Sequence, residues 1–256
     1  MGERLWRTAG LSVVRCSACG FYSADMDSWT YPYSDRDYYS AQAIQTTEIN
    51  PNRPHIQHRV RRISRFVPSG RSVDLGCGLG ETVVALSELG FEAHGVEESK
   101  AAICFLTAAY PRAMWHQMSV ARYLETADSF DVITLYHVLE HIPQPQRIVR
   151  LLAQSLRPNG LLVIEVPDVS GGQARLKRWR WQYWLPHHVN YFAPHTLRRL
   201  LEPAGFHLES VERKYHLQFP QGIKWRDGAH SLLARLGFHD IITTYWQRVG
   251  ARDLPR

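Results

Sequence analysis

The segment Val73-Asp74-Leu75-Gly76-Cys77-Gly78-Leu79-Gly80 contains the strongest signal for the fold class of this chain. The apolar run that ends at Leu75 predicts a buried strand, and the residues from Glu81 onwards predict a helix. Glycines at alternate positions between the two allow a tight turn and let the backbone approach a ligand without a Cβ in the way. In an α/β sheet, a nucleotide-like ligand binds at such a turn, outside the carboxyl end of a strand.

The spacing of these glycines narrows the choice of ligand. Dinucleotide-binding folds use a GxGxxG pattern to seat a pyrophosphate on a helix N-terminus, whereas Gly76, Gly78 and Gly80 form a GxGxG pattern. A carboxylate at Asp74 would repel a diphosphate, so it favours a cationic or amino-bearing ligand. Glu97 ends the next predicted strand and supplies a second acid where the hydroxyls of a ribose would bind.

Strands and helices alternate along the rest of the chain. An amphipathic helix is predicted over 54–66, since Ile56, Val60 and Ile63 recur at helical spacing. Strands are predicted at 72–75, 93–96, 131–135, 161–166, 207–213 and 241–247, and helices at 81–89, 100–109, 146–156, 195–201 and 229–236. Apolar strands separated by helices predict an α/β fold with a mostly parallel sheet and helices on both faces.

The acid before the GxGxG turn, the turn itself and Glu97 resemble the first motifs of the class I S-adenosylmethionine-dependent methyltransferases. The block from Phe130 to Ile142, with Leu139-Glu140-His141 near its end, is similar to the branch that carries a Leu-Glu-His signature. That branch includes ubiquinone-type O-methylases and several sugar and natural-product enzymes. The resemblance covers about residues 54–215. It implies a seven-stranded Rossmann-like sheet and S-adenosylmethionine as the cofactor.

The resemblance also implies which residues hold the cofactor. In the family, an acid or amide after the third strand commonly meets the adenine, whereas this chain has Gln117-Met118-Ser119 there. Backbone groups and a methionine side chain therefore replace the usual acid. We expect the cofactor to be bound by Asp74, Gly76, Cys77, Gly78, Gly80, Glu97, Met118, Ser119 and Tyr136.

The candidate catalytic residues are histidines. Methyl transfer from a sulfonium is an in-line displacement, so the protein mainly holds donor and acceptor together and removes a proton from the acceptor when there is one. His137 and His141 would share one face of a helical turn with Glu140 beside them, and the pKa of a histidine suits a general base near neutrality. We expect His141 to be the base, with His188 and His137 as further candidates. The structural alternative is a histidine that bonds to the backbone and shapes the pocket.

An insertion over 169–193 is rich in Trp, Arg and His. Its alternating cations and aromatics between Arg175 and Trp184 would suit stacked bases and phosphates, which makes an RNA methyltransferase one alternative. The resemblance instead implies a lid over the acceptor. A net charge of +6 is also small for a protein that binds RNA through its phosphates. We therefore expect a lid over a small-molecule acceptor of anionic character, with contacts from Tyr191, Arg178 and Arg180. The structural alternative is a helix that covers the sheet with its tryptophans inward and its arginines in solvent.

The segment Cys16-Ser17-Ala18-Cys19-Gly20 has the spacing of one zinc knuckle. One knuckle supplies two ligands, and structural zinc takes four. His55 and His58 have the same spacing, so a Cys2His2 zinc site is one hypothesis. The alternative is a relic turn packed by Phe21 and Tyr22.

Composition bounds the remaining possibilities. A chain of 256 residues with 45% hydrophobic and 21% charged residues is neither a disordered tail nor a collagen-like repeat nor a disulfide miniprotein. It contains no apolar run long enough to cross a bilayer, and its four Cys do not form a disulfide framework, so we expect a cytoplasmic protein without a signal peptide. We expect a small irregular N-terminal appendage at 1–53, a catalytic domain at 54–256, and a monomer or homodimer.

The sequence therefore predicts an enzyme that transfers a methyl group from S-adenosylmethionine to a small molecule, with oxygen favoured over nitrogen or carbon. Besides RNA methylation, a second alternative is a non-catalytic subunit that binds the cofactor and serves as a scaffold.

Overall fold

The computed structural model describes residues 2–8, 11–26, 29, 49–214 and 237–250. The strands are β1 (Gly2–Thr8), β2 (Leu11–Cys16), β3 (Tyr22–Ala24), β4 (Arg71–Leu75), β5 (Glu92–Glu97), β6 (Met114–Gln117), β7 (Phe130–Tyr136), β8 (Leu156–Pro167), β9 (Asn190–Tyr191), β10 (Phe206–Lys214) and β11 (Ile241–Arg248). The helices are α1 (Pro54–Phe66), α2 (Glu81–Glu88), α3 (Lys100–Ala109), α4 (Val120–Thr126), α5 (Pro145–Ser155), α6 (Gly172–Lys177) and α7 (Pro194–Leu201). Short 3-10 turns lie at Leu139–His141, Arg178–Arg180 and Glu202–Ala204. The helix predicted over 229–236 lies outside the described residues.

Seven strands form the central sheet in the order β10-β11-β8-β7-β4-β5-β6. The strands from β8 to β6 in this order run parallel, whereas β11 is antiparallel to both of its neighbours. From β4 the chain adds β5 and β6 on one side and then β7 and β8 on the other. The carboxyl ends of β4 and β7 therefore flank the switch point at which such sheets bind ligands. The predicted seven-stranded, mostly parallel sheet is confirmed.

Helices cover both faces of this sheet. On one face, the apolar stripe of α1 that was read from the sequence is buried together with α2; its members are Ile56, Val60 and Ile63. On the other face, α4, α5 and α7 bury Leu124, Ile148, Leu152 and Leu197 against the sheet. Full burial of each aliphatic side chain contributes roughly 1.5–3 kcal/mol. These two cores hold the carboxyl ends of the strands in fixed positions.

The N-terminal part of the chain is more regular than the sequence suggested. Strands β1, β2, β3 and β9 form a four-stranded antiparallel sheet, in which Tyr22 pairs with Tyr191 of the insertion. A third core joins the two regions through Leu11, Val13, Ala24, Ala174, Trp181, Val189 and Tyr191. The sequence did not reveal this sheet because the other buried residues of this core lie 150 or more residues away from Leu11, Val13 and Ala24 along the chain.

Besides the N-terminal sheet and the short helix α6 of the insertion, β6 and α4 were missing from the sequence prediction. Edge strand β6 (Met114-Trp115-His116-Gln117) is only partly buried and shows no apolar alternation, and α4 is a helix of 7 residues. Both are short, so neither shows a periodicity long enough to read. Within the described ranges, no helix combines the length and the apolar character that a bilayer span requires.

Candidate active site

A cavity of about 890 Å³ opens at the carboxyl ends of the parallel strands. Its walls are the glycine-rich turn after β4, the ends of β5 and β7, the start of α4, and one face of α1. All nine residues expected to bind the cofactor line this cavity: Asp74, Gly76, Cys77, Gly78, Gly80, Glu97, Met118, Ser119 and Tyr136. His137 and His141 line it as well. The structure thus brings the cofactor motifs and two of the three histidine candidates into one space.

The backbone of the glycine-rich turn needs its glycines. Gly76, Gly78 and Gly80 have φ angles of 69°, 56° and 71°, in the left-handed region that favours glycine. A Cβ at Gly76 would lie 2.5 Å from the Val138 side chain, and one at Gly80 would lie 2.5 Å from the indole of Trp115. Strand β5 fixes the turn, since the amides of Gly76 and Cys77 donate to the Val96 carbonyl.

Asp74 lies at the floor of the cavity and is 4% exposed. Burial raises the pKa of its carboxyl to about 6, although a 2.6 Å hydrogen bond from the Thr134 hydroxyl opposes that effect. A bound cation would favour the ionised form of this carboxylate. The geometry therefore suits the amino-bearing or cationic ligand that the sequence indicated.

Glu97, the last residue of β5, binds the glycine-rich turn. Its Oε2 accepts a hydrogen bond from the Gly78 amide at 3.1 Å, and its Oε1 accepts from the amides of Glu98 and Ser99 at 2.9 and 3.0 Å. These bonds hold the carboxylate at the cavity wall. Since a carboxylate has about four acceptor positions and three are taken by these amides, one position remains for a hydroxyl of a ligand.

Arg59 is a cavity residue that the sequence did not single out. It lies on α1, and its guanidinium lies 3.6 Å from the ring centroid of Tyr136. The buried Tyr136 hydroxyl has no hydrogen-bond partner among the described residues, and burial raises its pKa well above the usual range. This wall therefore offers a hydrogen-bond donor to a bound ligand.

His137 is held by two acids. Its Nδ1 lies 3.2 Å from Glu140, its Nε2 lies 3.4 Å from Glu165, and its backbone has a φ of 58°. Burial alone would lower the pKa of His137, but the hydrogen bonds to Glu140 and Glu165 raise it to about 9. A ring whose two nitrogens both donate cannot accept a proton. The structure therefore does not support the role of His137 as a general base.

Glu165 connects the elements behind this histidine. It lies on β8, is 3% exposed, and binds Arg59 at 2.6 Å, Thr243 at 2.6 Å and the ammonium of Lys214. Burial acts against its ionisation, but the bonds and charges of His137, Arg59 and Lys214 outweigh burial and hold its pKa well below the usual value. The signal for this residue was an acid inside the apolar run Leu161–Val166, because buried acids are almost always paired.

His141 ends the 3-10 turn after β7, and its ring has one defined partner. Nδ1 lies 3.0 Å from the backbone carbonyl of His187. A carbonyl only accepts, so Nδ1 carries the hydrogen, and in the neutral ring Nε2 keeps its lone pair. Val189 and Asn190 of the insertion fix the turn, through the Glu140 carbonyl and the carbonyls around it. The insertion therefore positions His141.

His188 lies behind His141 and is not among the cavity-lining residues. It is 5% exposed, its ring meets His141 edge-on at 4.8 Å, and its Nδ1 lies 3.0 Å from the Tyr183 carbonyl. Burial lowers the pKa of His188 to about 3 and that of His187 to about 4. Ring nitrogens of His141, His187 and His188 lie within 4.8 Å of one another and form a group of three potential metal ligands.

The three residues of the insertion that the sequence indicated as acceptor contacts do not line this cavity. Tyr191 is 2% exposed, packs on Trp184 at 4.5 Å and belongs to the third core. Arg178 and Arg180 are exposed, and Arg180 stacks on Trp179 at 4.6 Å. Trp181 and Tyr191 are buried against the apolar surface of the N-terminal sheet, whereas the cations of the segment lie in solvent.

The structure also keeps the two halves of the expected zinc site apart. Cys16 is the last residue of β2 and Cys19 lies in the turn that follows, where hydrogen bonds from Cys19 and Ala18 lower the pKa of Cys16. His58 lies on α1 and binds Glu212 at 2.8 Å. In the described part of the chain, neither His55 nor His58 joins the cysteines in a metal-ligand group. The Cys2His2 arrangement is therefore absent from these residues.

A family model described as a methyltransferase domain matches residues 51–211, more than half of the chain. The chain therefore belongs to this family. Together with the fold, the match defines a class I S-adenosylmethionine-dependent methyltransferase.

Curated relatives include ubiquinone biosynthesis O-methyltransferases. The Nitrosococcus oceani protein is 39% identical over 98 residues, which cover 35% of this chain and 40% of that protein. The Xanthomonas axonopodis pv. citri protein is 28% identical over 202 residues, which cover 72% of this chain and 84% of that protein. The match thus spans less than half of the first relative and most of the second.

Solved structures share the fold at low sequence identity. The CcbJ methyltransferase from Streptomyces caelestis has a TM-score of 0.63 at 14% identity, over 85% of this chain and 100% of that one. A SAM-dependent methyltransferase from Archaeoglobus fulgidus has a TM-score of 0.58 at 20% identity, over 76% of this chain and 93% of that one. The N-methyltransferase NodS from Bradyrhizobium japonicum was solved with S-adenosyl-L-homocysteine. It has a TM-score of 0.53 at 15% identity, over 81% of this chain and 97% of that one.

Proposed function

We propose that this enzyme methylates a hydroxyl oxygen of a small molecule, and that His141 removes the proton of that hydroxyl. One observation carries the proposal: the His187 carbonyl takes Nδ1–H of His141, so Nε2 is left as the acceptor on a ring that lines the cavity. The names of the ubiquinone O-methyltransferase relatives support oxygen as the methylated atom.

The cofactor would occupy the side of the cavity built by the glycine-rich turn. Asp74 and Glu97 are the two acids there, and they suit the cationic methionyl part and the ribose hydroxyls of S-adenosylmethionine. Met118 and Ser119, at the start of α4, lie on the wall where the adenine would bind. The cofactor supplies the methyl group as a sulfonium, and the chain's own residues hold it in line with the acceptor.

In the proposed reaction, the acceptor oxygen forms a bond to the methyl carbon while the carbon–sulfur bond breaks. The hydroxyl proton passes to Nε2 of His141. His188 would act as a positioning residue, since its edge-on contact fixes the ring of His141 and its low pKa keeps it neutral. The insertion acts on the site through these backbone and ring contacts rather than through its arginines.

The test is His141→Gln in a methylation screen of phenols, catechols and quinols that detects S-adenosylhomocysteine. We expect turnover of a responding phenol to fall by about 10²- to 10⁴-fold, with unchanged affinity for S-adenosylmethionine. His195→Gln is the matched control, because this exposed histidine lies on α7 outside the cavity. Unchanged turnover in His141→Gln would overturn the base assignment and favour the pocket-shaping role. Absence of turnover from the wild type across the screen would favour the scaffold alternative.

RNA remains a second candidate acceptor because of one observation. Arg178, Trp179 and Arg180 are all exposed, and Trp179 is 59% exposed. Solvent-facing cations beside an open indole suit phosphates and stacked bases. Affinity for tRNA that falls steeply with salt and is lost in Arg178→Ser/Arg180→Ser would support this acceptor. Indifference to RNA would exclude it.

A further inference from the structure

The acceptor side of the cavity contains a histidine in an unusual backbone conformation. His137 has a φ of 58°, which costs a non-glycine residue energy and persists only where the surroundings impose it. Its backbone amide donates to the Glu165 carbonyl at 2.9 Å, and its ring lies between Glu140 and Glu165. The fold therefore holds this ring at the end of β7 against a local preference.

The partners of the ring fix its charge. Glu140 is 1% exposed and Glu165 is 3% exposed, so neither acid can leave its position for solvent. Carboxylates accept and do not donate, which means that both ring nitrogens of His137 carry a hydrogen. The ring is then an imidazolium, in agreement with the raised pKa. Its side chain remains 38% exposed, and it lines the cavity.

The surrounding charges do not cancel. Two carboxylates, Glu140 and Glu165, face three cations: His137, Arg59 and Lys214. This group therefore has one positive charge in excess. The opposite side of the cavity has the acids Asp74 and Glu97, which suit a cationic cofactor. Of this group, Arg59 and His137 line the cavity, whereas Glu140, Glu165 and Lys214 lie behind them, so the cations of the group face the cavity and its acids do not.

We infer that His137 is a fixed cation that selects an anionic acceptor, in particular an aromatic acid whose carboxylate lies against the imidazolium ring. The inference rests on the proposed function for the identity of the acceptor side. Both N–H groups of His137 are already taken, so the ring acts through its charge and not through a hydrogen bond. It replaces Arg178 and Arg180 as the source of the anion preference expected from the sequence.

Calorimetry on the protein loaded with S-adenosylhomocysteine tests the selection. The probes are 3,4-dihydroxybenzoate and its methyl ester, which differ in one negative charge. We expect the acid to bind at least tenfold more tightly, equivalent to about 1.4 kcal/mol. His137→Asn should remove this preference, because asparagine tolerates a positive φ but has no charge. His195→Gln, on the exposed side of α7, should keep it.

A second measurement is independent of any acceptor. Nitrogen NMR of the histidine rings in the apoprotein at pH 7.5 should show His137 doubly protonated. A neutral His137 ring would overturn the inference, whether or not His137→Asn folds. Equal affinity for the acid and the ester, or no binding of the acid, would also overturn it. Failure of S-adenosylhomocysteine to bind in the first titration would instead contradict the proposed function.

Discussion

The two sides of the cavity are built in different ways. The cofactor side is nearly continuous in sequence: one turn over 74–80 supplies most of the wall, and Glu97 bonds directly to it through the Gly78 amide. The acceptor side combines α1, the end of β7, the middle of β8, and the insertion, whose contacts fix His141. Positive φ angles occur on both sides, but only the acceptor side has one on a residue with a side chain.

This difference explains why the two sides have different chemistry. Backbone amides and glycines shape the cofactor side, so its geometry follows from the local chain. Buried charges shape the acceptor side, and a buried charge is stable only where its partners arrive from other elements. Substitutions within the glycine-rich turn should therefore be enough to disturb the cofactor side. The geometry of the acceptor side should also change when residues far from the acceptor are substituted.

The largest expected effect comes from Glu165→Ala. Removal of this acid leaves Arg59, Lys214 and His137 without their shared partner, and breaking a buried ion pair costs about 3–5 kcal/mol. We expect the free energy of unfolding, measured with urea, to fall by that order. The pKa of His137 should fall as well.

Glu202→Ala is the matched control, because Glu202 also binds an arginine but is 48% exposed. Exposed pairs contribute at most about 1 kcal/mol. If the two variants lose similar stability, the acceptor side is not held by its buried charges.

Glu97→Ala should have the next largest effect and should act on the cofactor side alone. It removes the acceptor for three backbone amides and for the proposed ribose hydroxyls. We expect affinity for S-adenosylmethionine, measured by calorimetry, to fall at least a hundredfold, equivalent to about 2.7 kcal/mol. Glu88→Ala, at the exposed end of α2, should bind normally. Tight binding of a nicotinamide dinucleotide by the wild type would contradict the cofactor assignment.

The smallest expected effect is a pH-dependent gain of stability in Asp74→Asn. Burial raises the pKa of folded Asp74 to about 6 from a usual value of 3.8, so its contribution to stability is full below about pH 4 and is lost as the pH rises through 6. Asparagine is neutral and can still accept the Thr134 hydrogen bond. At pH 8 the apoprotein variant should therefore be more stable than the wild type by about 1–3 kcal/mol.

Thermal unfolding at pH 4.5 and pH 8 measures this effect. The difference in stability between Asp74→Asn and the wild type should be smaller at the lower pH. The variant should also lose affinity for S-adenosylmethionine. If the stability difference between variant and wild type is the same at both pH values, Asp74 is ionised in the folded as well as in the unfolded protein.

Much of the fold was predictable because its strands and helices have clear local signals. The predicted helix over 100–109 matches α3, and the strand over 131–135 lies inside β7. The short elements β6 and α4 lacked such a signal. All nine expected cofactor residues line the cavity, whereas Tyr191 is buried in a core that no local pattern indicated.

Most strands of the central sheet, the glycine-rich turn and the acidic side of the cavity could be predicted from the sequence alone, because each depends on residues that are neighbours along the chain or on adjacent strands. Only the tertiary structure decided the states of the histidines. His137 has a local partner in Glu140, but its second partner, Glu165, and the His187 carbonyl that binds His141 both lie in segments remote from the turn after β7. A hydrogen bond or ion pair sets the protonation of a ring only once folding has placed its partner.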